Sequence, residues 1–309
     1  MAEFETGTGE QAAFRDELVG HGLLIETGVP GVFGRSSAFE DVLTSVDAMV
    51  TRVAAGDHSE SVRFPPLLPR HQLESSGYLR SFPQLAGTIF AFRGTEADAT
   101  SQQELAARHE DWSGYQSMTD LVLLPAACYP VYPAIAKRGP LPSGGLTIDA
   151  GAAYVFRHEP SADPARLQMF HQREMVRLGA PDTVEMWRDT WRDRAVTLLR
   201  HIGLDAELDV ATDPFFGRSG RMLAANQRVQ QLKFEVRIPI AGPEPTAVAS
   251  FNYHQDHFTH SFGITMADGG VAHTACLGFG LERITLGLFR THGIDVTTWP
   301  ADVMSALRP

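Results

Sequence analysis

LTIDAGAAYVFRHEP (146–160) and LQMFHQREMVRL (167–178) are the two runs whose reading decides the fold. Both read as strands. Ser161-Ala162-Asp163-Pro164 lies between them; Pro presets φ, and Ser and Asp side chains bond their own backbone, so the connection reads as a turn and the whole as a hairpin. Beyond it, Asp182 and Glu185 open a predicted helix whose inner face carries Val184, Trp187, Trp191, Leu198, Leu199 and Ile202, closed by Gly203. A shorter helix is expected over 219–232, strands near 233–240, 247–253 and 261–266, and a last helix from about Gly280. Strands outnumber simple βαβ crossovers, so the expected class is α+β: an antiparallel sheet flanked by helices, not a doubly wound fold. No GxGxxG or P-loop pattern occurs, which weakens Rossmann and P-loop alternatives.

Upstream, residues 1–60 read as a short helical region. Ser37 and Glu40 have capping-box spacing, and Phe39, Val42, Leu43, Val46, Met49, Val50 and Val53 follow at helical period to Gly56. No heptad repeat is sustained, so a coiled-coil arm is not expected. RFPPLLPR (63–70) must be extended, because each proline fixes its own φ and biases its predecessor. Residues 61–309 then form the main domain, in one compact unit with the first sixty.

The 309 residues are 43% hydrophobic and 20% charged, ordinary for a globular chain with a sizeable core. No apolar run is long enough to span a bilayer, and the acidic start MAEFETGTGEQ lacks the features of a secretory signal. Two cysteines without a signal point to a reducing, cytoplasmic setting. A net charge of −11 argues mildly against a nucleic-acid partner.

Chemistry concentrates in two places. On the hairpin stand Arg157, Glu159, Arg166, Leu167 and Phe170. An arginine fork can hold phosphate oxygens, a carboxylate two residues on shares a strand face, and a phenyl ring can stack on a base. A surface hairpin with exposed ion pairs fits the same spacing. Gly278-Phe279-Gly280-Leu281-Glu282-Arg283 opens an apolar helix, where glycines admit close approach and Arg283 can reach a phosphate; GxGxxR alone is also an ordinary helix start. In this order, with RFPPLLPR ahead of them, these stretches resemble motifs 1, 2 and 3 of the class II aminoacyl-tRNA synthetases over roughly residues 60–295. Within that class the chain is similar to the zinc-dependent seryl-tRNA synthetase core, and more so to its truncated relatives, the amino acid:carrier-protein ligases.

The resemblance implies a set of roles. Cys128, Glu174 and Cys276 would hold zinc with an open fourth position for a substrate amine; Cys128 and Cys276 are the chain's two cysteines, and as residues alone they also read as buried apolar thiols. Arg157, Glu159, Arg166, Leu167, Phe170, Lys233, Glu235, Ala247, Ser250 and Arg283 would surround ATP with magnesium, Arg157 and Arg283 being the catalytic pair. Glu174, Asn252 and Asp256 would meet a small amino acid, glycine or alanine, with glycine favoured. His254, His257 and His260 have metal-like spacing, yet strand parity would split them, so they read as hydrogen-bonded structure. Segment 214–233 carries Arg218, Arg221, Arg228 and Lys233 and no acid, suiting an acidic phosphopantetheine carrier protein, although a solvated basic helix face fits too. A homodimer without a tRNA arm is expected. A truncated tRNA synthetase and a non-catalytic regulatory paralogue are the alternatives.

Overall fold

The computed structural model describes residues 8–308. Helix α1 (Gly9–Gly20), hairpin β1 (Leu24–Glu26) with β2 (Phe33–Arg35) and helix α2 (Ser37–Ala54) come first. Next are β3 (Glu60–Ser61), β4 (Leu67–Pro69), α3 (Arg70–Ser75), α4 (Tyr78–Ser81), β5 (Thr88–Phe92), α5 (Glu96–Ala107), β6 (Gln116–Leu123) and α6 (Val131–Ala136). The hairpin β7 (Leu146–Phe156) and β8 (Met169–Gly179) leads into α7 (Pro181–His201), β9 (Glu207–Val210) and α8 (Gly217–Val229). Then follow β10 (Lys233–Ile238), β11 (Thr246–Gln255), α9 (His257–Phe262), β12 (His273–Gly280), α10 (Leu281–His292) and α11 (Ala301–Leu307).

Seven strands form the central sheet in the order β3-β7-β8-β12-β11-β10-β9. Every pairing is antiparallel except β3 against β7. The sheet is buried on both faces. On one side Met175, Leu277 and Phe251 pack against Phe39 of α2, Trp191 of α7 and Phe289 of α10. On the other, Ile148, Val176 and Cys276 pack against Tyr132 of α6, Phe258 of α9, and Leu68 and Val122 of the small sheet β4-β6-β5. Neighbours in sequence go to opposite faces, as the pleat requires.

Several expectations need correction. The strand expected over 261–266 is instead the end of helix α9 and a turn, and the strand feeding the last helix is β12, which the glycine-rich reading of 278–283 had absorbed into a helix start. Gly278 and Gly280 therefore lie in a strand. Ser36, not Ser37, caps α2, accepting from the Phe39 amide at 3.4 Å, while Glu40 pairs with Arg35. Helix α7 starts at Pro181 without a side-chain cap, proline supplying the helical φ at the first position. The first sixty residues include a short hairpin as well as two helices.

Buried charges tie the N-terminal region to the sheet. Arg173, 1% exposed, points to the α2 side, where it grips Asp149 at 2.7 and 2.8 Å and lies 3.3 Å from Asp47 of α2. Glu282, equally buried, accepts from the His171 amide and from Arg35 of β2. Removing one member of such a set strands the rest without water. We expect Arg173→Ala to destabilise the fold by roughly 3–5 kcal/mol, read as a lower urea midpoint. A loss under about 1 kcal/mol would show that Asp149 and Asp47 rehydrate.

Candidate active site

A cavity of about 430 Å³ opens on the α6–α9 side of the sheet, between the strands, α4 and α8. Its floor follows from strand parity. Glu174 shares a face with Val176 on β8, and Cys276 lies opposite Val176 on β12. The two side chains are thus diagonal neighbours on one face, close enough for long side chains to meet. Cys128 arrives from the turn before α6, its amide donating to Glu174 Oε2 at 2.7 Å. The three ligand atoms lie within 4.8 Å of one another, and all three residues are buried. Burial pushes the Glu174 carboxyl and the Cys128 thiol above their ordinary values, and contact with Cys128, then burial, does the same for Cys276. Three anionic ligands this close and this dry are stable together only when neutralised, so protons or a cation must sit among them. Two thiolates and a carboxylate in tetrahedral reach suit zinc among common ions.

Polar groups surround this cluster. Asn252, directly opposite Cys276, places Nδ2 3.5 Å from its sulfur. His254, two residues on, places Nε2 3.5 Å from the same sulfur while Nδ1 contacts Thr274 Oγ1 at 3.1 Å. Burial, with His257 nearby, lowers the His254 pKa to about 3, so the ring is neutral. The expected split of the histidines by strand parity does not apply. The strand ends at Gln255, α9 begins at His257, His257 turns to the Ser76 carbonyl, and His260 is exposed. Tyr132 is fully buried, its hydroxyl beside the Cys128 thiol.

The other end of the cavity gathers Arg157, Phe170, Lys233, Glu235, Ala247, Ser250 and Arg283. The Arg157 guanidinium lies 5.6 Å from the centre of the Phe170 ring. Arg283 is clamped by the carbonyls of Ala165 at 2.7 Å and Ala247 at 2.9 Å, so its fork is held before any ligand arrives. Burial, then the neighbouring Arg157, depresses its pKa, which favours an incoming anion. Lys233 is buried between Asp213 at 2.6 Å and Glu235 at 3.0 Å. Burial disfavours its charge, but the two carboxylates prevail and raise its pKa. Glu159, Arg166 and Leu167 do not line the cavity. Strand β7 ends at Phe156, so Arg157 and Glu159 stand in the loop rather than on one strand face. Asp256 is exposed, past the end of β11, and borders a neighbouring depression instead.

Sequence reasoning missed Gln172, Asp213 and Gln227. Gln172 had a signal, sharing Glu174's strand parity two residues earlier; its Oε1 accepts from the Ala127 amide at 3.2 Å. Asp213 and Gln227 had none. Gln227 of α8 bonds both the side chain and the amide of Asp213 at 2.7 Å, so α8 is pinned to the lysine that borders the cavity. Lys233 is therefore spent internally, and three cations of segment 214–233, not four, stand exposed. Gln227→Ala should speed amide exchange over 217–229 by roughly tenfold, the worth of about 1.4 kcal/mol, with β8 and β12 unchanged. Unchanged exchange in α8 would mean that packing alone holds it.

Fold and site together define a catalytic domain of the class II aminoacyl-tRNA synthetase type. Over 99% of this chain it superposes on 61% of the M. kandleri seryl-tRNA synthetase, solved with A. aeolicus tRNASec, at a TM-score of 0.79 and 20% identity. It also matches the cytoplasmic serine-tRNA ligase of Naegleria fowleri in complex with AMP, at 0.69 and 11% identity, covering 99% of this chain and 62% of that one. The sequence is 47% identical over 281 residues to amino acid–acyl-carrier-protein ligase 1 of Bradyrhizobium diazoefficiens, covering 91% of this chain and 86% of that protein. A type-2 serine–tRNA ligase of Methanopyrus kandleri is 26% identical over 84% of this chain and 53% of its own. No protein-family profile matches. The chain belongs to the amino acid–acyl-carrier-protein ligase family and is a ligase.

Proposed function

We propose that this ligase uses ATP and magnesium to convert a small amino acid, glycine in preference to alanine, into its adenylate, and then transfers it to the phosphopantetheine thiol of a carrier protein. The observation that carries the reading is the convergence of Cys128, Glu174 and Cys276 with Arg157, Lys233, Glu235 and Arg283 in one cavity. A zinc ion on those three ligands would supply a Lewis-acid anchor for the neutral substrate amine at a fourth position. Asn252 and Ser250 line the same wall and would orient the amino acid. Arg157 would hold the α-phosphate and Phe170 the adenine, with Arg283, fixed by two carbonyls, on the γ-phosphate. Glu235 is the magnesium candidate.

In the first half-reaction a carboxylate oxygen of the amino acid attacks the α-phosphorus, and the bond to the β-phosphate oxygen breaks to release pyrophosphate. In the second, the carrier thiol's sulfur attacks the activated carbonyl, the bond to AMP breaks, and the thiol proton leaves to solvent. No protein nucleophile is required; positioned cations and alignment carry the rate. Arg218, Arg221 and Arg228, exposed on α8 beside the cavity mouth, would meet the carrier's acidic surface. The cytoplasm suits both cosubstrates, and no helix among the described residues is long and apolar enough to cross a membrane.

Pyrophosphate exchange across the twenty amino acids tests the first step. Glycine should be fastest, alanine second and serine poor, a methyl group being worth about 1–3 kcal/mol of discrimination. Serine as the best substrate would overturn the small-amino-acid reading. Transfer assays should label an acidic holo carrier protein and leave tRNA uncharged; the reverse result would make the chain a truncated tRNA synthetase.

The metal reading has its own test. The purified protein should hold about one zinc per chain, and Cys276→Ser should lose it, with exchange down at least ~100-fold and the circular dichroism of the fold retained. A metal-free Cys276→Ser protein that forms adenylate normally would remove zinc from the mechanism.

A further inference from the structure

Val29-Pro30-Gly31-Val32 turns the chain between β1 and β2. The Val32 amide donates to the Val29 carbonyl at 3.1 Å and Gly31 takes φ +73°, so proline and glycine sit where a type II turn needs them. Thr27 Oγ1 donates to the Val32 carbonyl at 2.7 Å and stiffens the turn. Both central residues then serve Gln168, which stands just before β8. The Pro30 carbonyl accepts from Gln168 Nε2 and the Gly31 carbonyl from the Gln168 amide, each at 2.8 Å. A side chain at 31 would stand 3.0 Å from the Arg166 carbonyl, so glycine serves the close approach as well as the turn. Gln168 is buried, and its own carbonyl accepts from the Arg157 amide at 2.9 Å. At the other end of the β7–β8 loop, Gln11 of α1 donates Nε2 to Asp163 Oδ2 at 2.9 Å, while Asp163 Oδ1 accepts from the Ala165 amide at 2.9 Å.

Ala165 lies between these two anchors, and its carbonyl is the one that holds Arg283 Nε at 2.7 Å. The other acceptor of Arg283, Ala247, belongs to β11 and is fixed by the sheet. Ala165 has no such support, since β7 ends at Phe156 and β8 begins at Met169. Bonds from α1 and from the β1–β2 turn take the place of the missing ladder. Arg35 of β2 adds a third hold, on Glu282, the residue next to Arg283. None of the residues that line the cavity precedes Ser76. Three parts of the N-terminal region thus converge on one cavity guanidinium without entering the cavity themselves.

Resting on the ATP reading above, we propose that Gln168 and Gln11 are positioning residues for the nucleotide. They set the Ala165 carbonyl, and through it the Arg283 guanidinium, where the outermost phosphate arrives. A guanidinium held by two fixed carbonyls has given up its rotamer freedom before ATP binds, so binding does not have to order it. Loosening either anchor lets Ala165 drift and returns that freedom to Arg283. The effect is confined to nucleotides whose phosphate tail reaches the arginine.

The test measures the Kd of the full chain for two probes: α,β-methylene-ATP, which carries the whole phosphate tail and cannot react, and AMP, which lacks the outer phosphates. Gln168→Met keeps the length of the side chain and loses its donor. Gln11→Leu does the same at the other anchor, on a half-buried residue, so it stays informative if the first variant folds poorly. Each should weaken the ATP analogue about threefold and the double variant about tenfold, the scale of one or two lost hydrogen bonds. AMP binding should not move. Adding Gln168→Met to Arg283→Ala should cost nothing further, because its effect runs through that guanidinium. Equal weakening of both probes would overturn the proposal, since it marks a pocket loosened as a whole. So would unchanged binding of the analogue in both variants, or a full threefold loss in the Arg283→Ala background. An Arg283→Ala enzyme that binds the analogue as tightly as wild type would instead defeat the underlying ATP reading.

Discussion

The two-residue alternation of β8, carried in register onto β12 and β11, is the constraint on which the site depends. Along β8, Arg173 and Met175 face the helices α2, α7 and α10, while Glu174 and Val176 face the cavity side. Antiparallel pairing sets Gly278 opposite Glu174 and Cys276 opposite Val176, and then Asn252 opposite Cys276. A slip of one residue would turn Cys276 into the helix layer and Leu277 into the cavity. Register is secured because both faces are buried, so a slip would expose no compensating surface and would bury charges without partners.

Those buried charges serve different ends on the two faces. Arg173 with Asp149 and Asp47, and Glu282 with Arg35 and His171, are closed sets in which every charge is answered from within the chain. They bind the N-terminal helix and hairpin to the strands that carry the site. On the cavity face like charges gather instead. Cys128, Glu174 and Cys276 bring three acidic groups within 4.8 Å of one another, and Arg157 and Arg283 lie close enough to repel. Like charge gathered in a concave, partly dry space is what a site for a cation and for phosphates requires. Lys233 belongs to neither kind: it answers Glu235 on the cavity wall and Asp213 under α8, linking strand β10 to helix α8.

Helix α8 contrasts with α10. The latter is apolar along most of its length and lies in the core, where Gly287 admits the Ile238 side chain. The former rests on a glycine, an alanine and a glutamine, and most of its side chains are in water. Helical propensity alone rarely holds thirteen residues in place. The Gln227–Asp213 clasp and the stack of Phe215 on Phe82, 5.1 Å between centroids, do what a hydrophobic face does elsewhere. Such a helix can present a surface to a partner without that surface being consumed by the fold.

By itself the sequence determined what is local or periodic. The long hairpin, the amphipathic helices over 37–54 and 181–201 and the α+β class were all legible, whereas Cys128, Glu174 and Cys276 came together as a set only through the family resemblance. So was the basic segment. Tertiary structure decided what depends on where strands stop and what they face. Phe156 ends β7, which moves Glu159 into a loop; Gln255 ends β11, which sends Asp256 outward and leaves His254 against Cys276. Strand β12 was hidden because His273–Gly280 carries two glycines and little alternation, the pattern of a strand covered on both faces. Whether a cation is free was equally out of reach: Lys233 and Arg228 look alike in sequence, and only a carboxylate twenty residues upstream buries one and leaves the other in water, since ion pairing depends on distance in space.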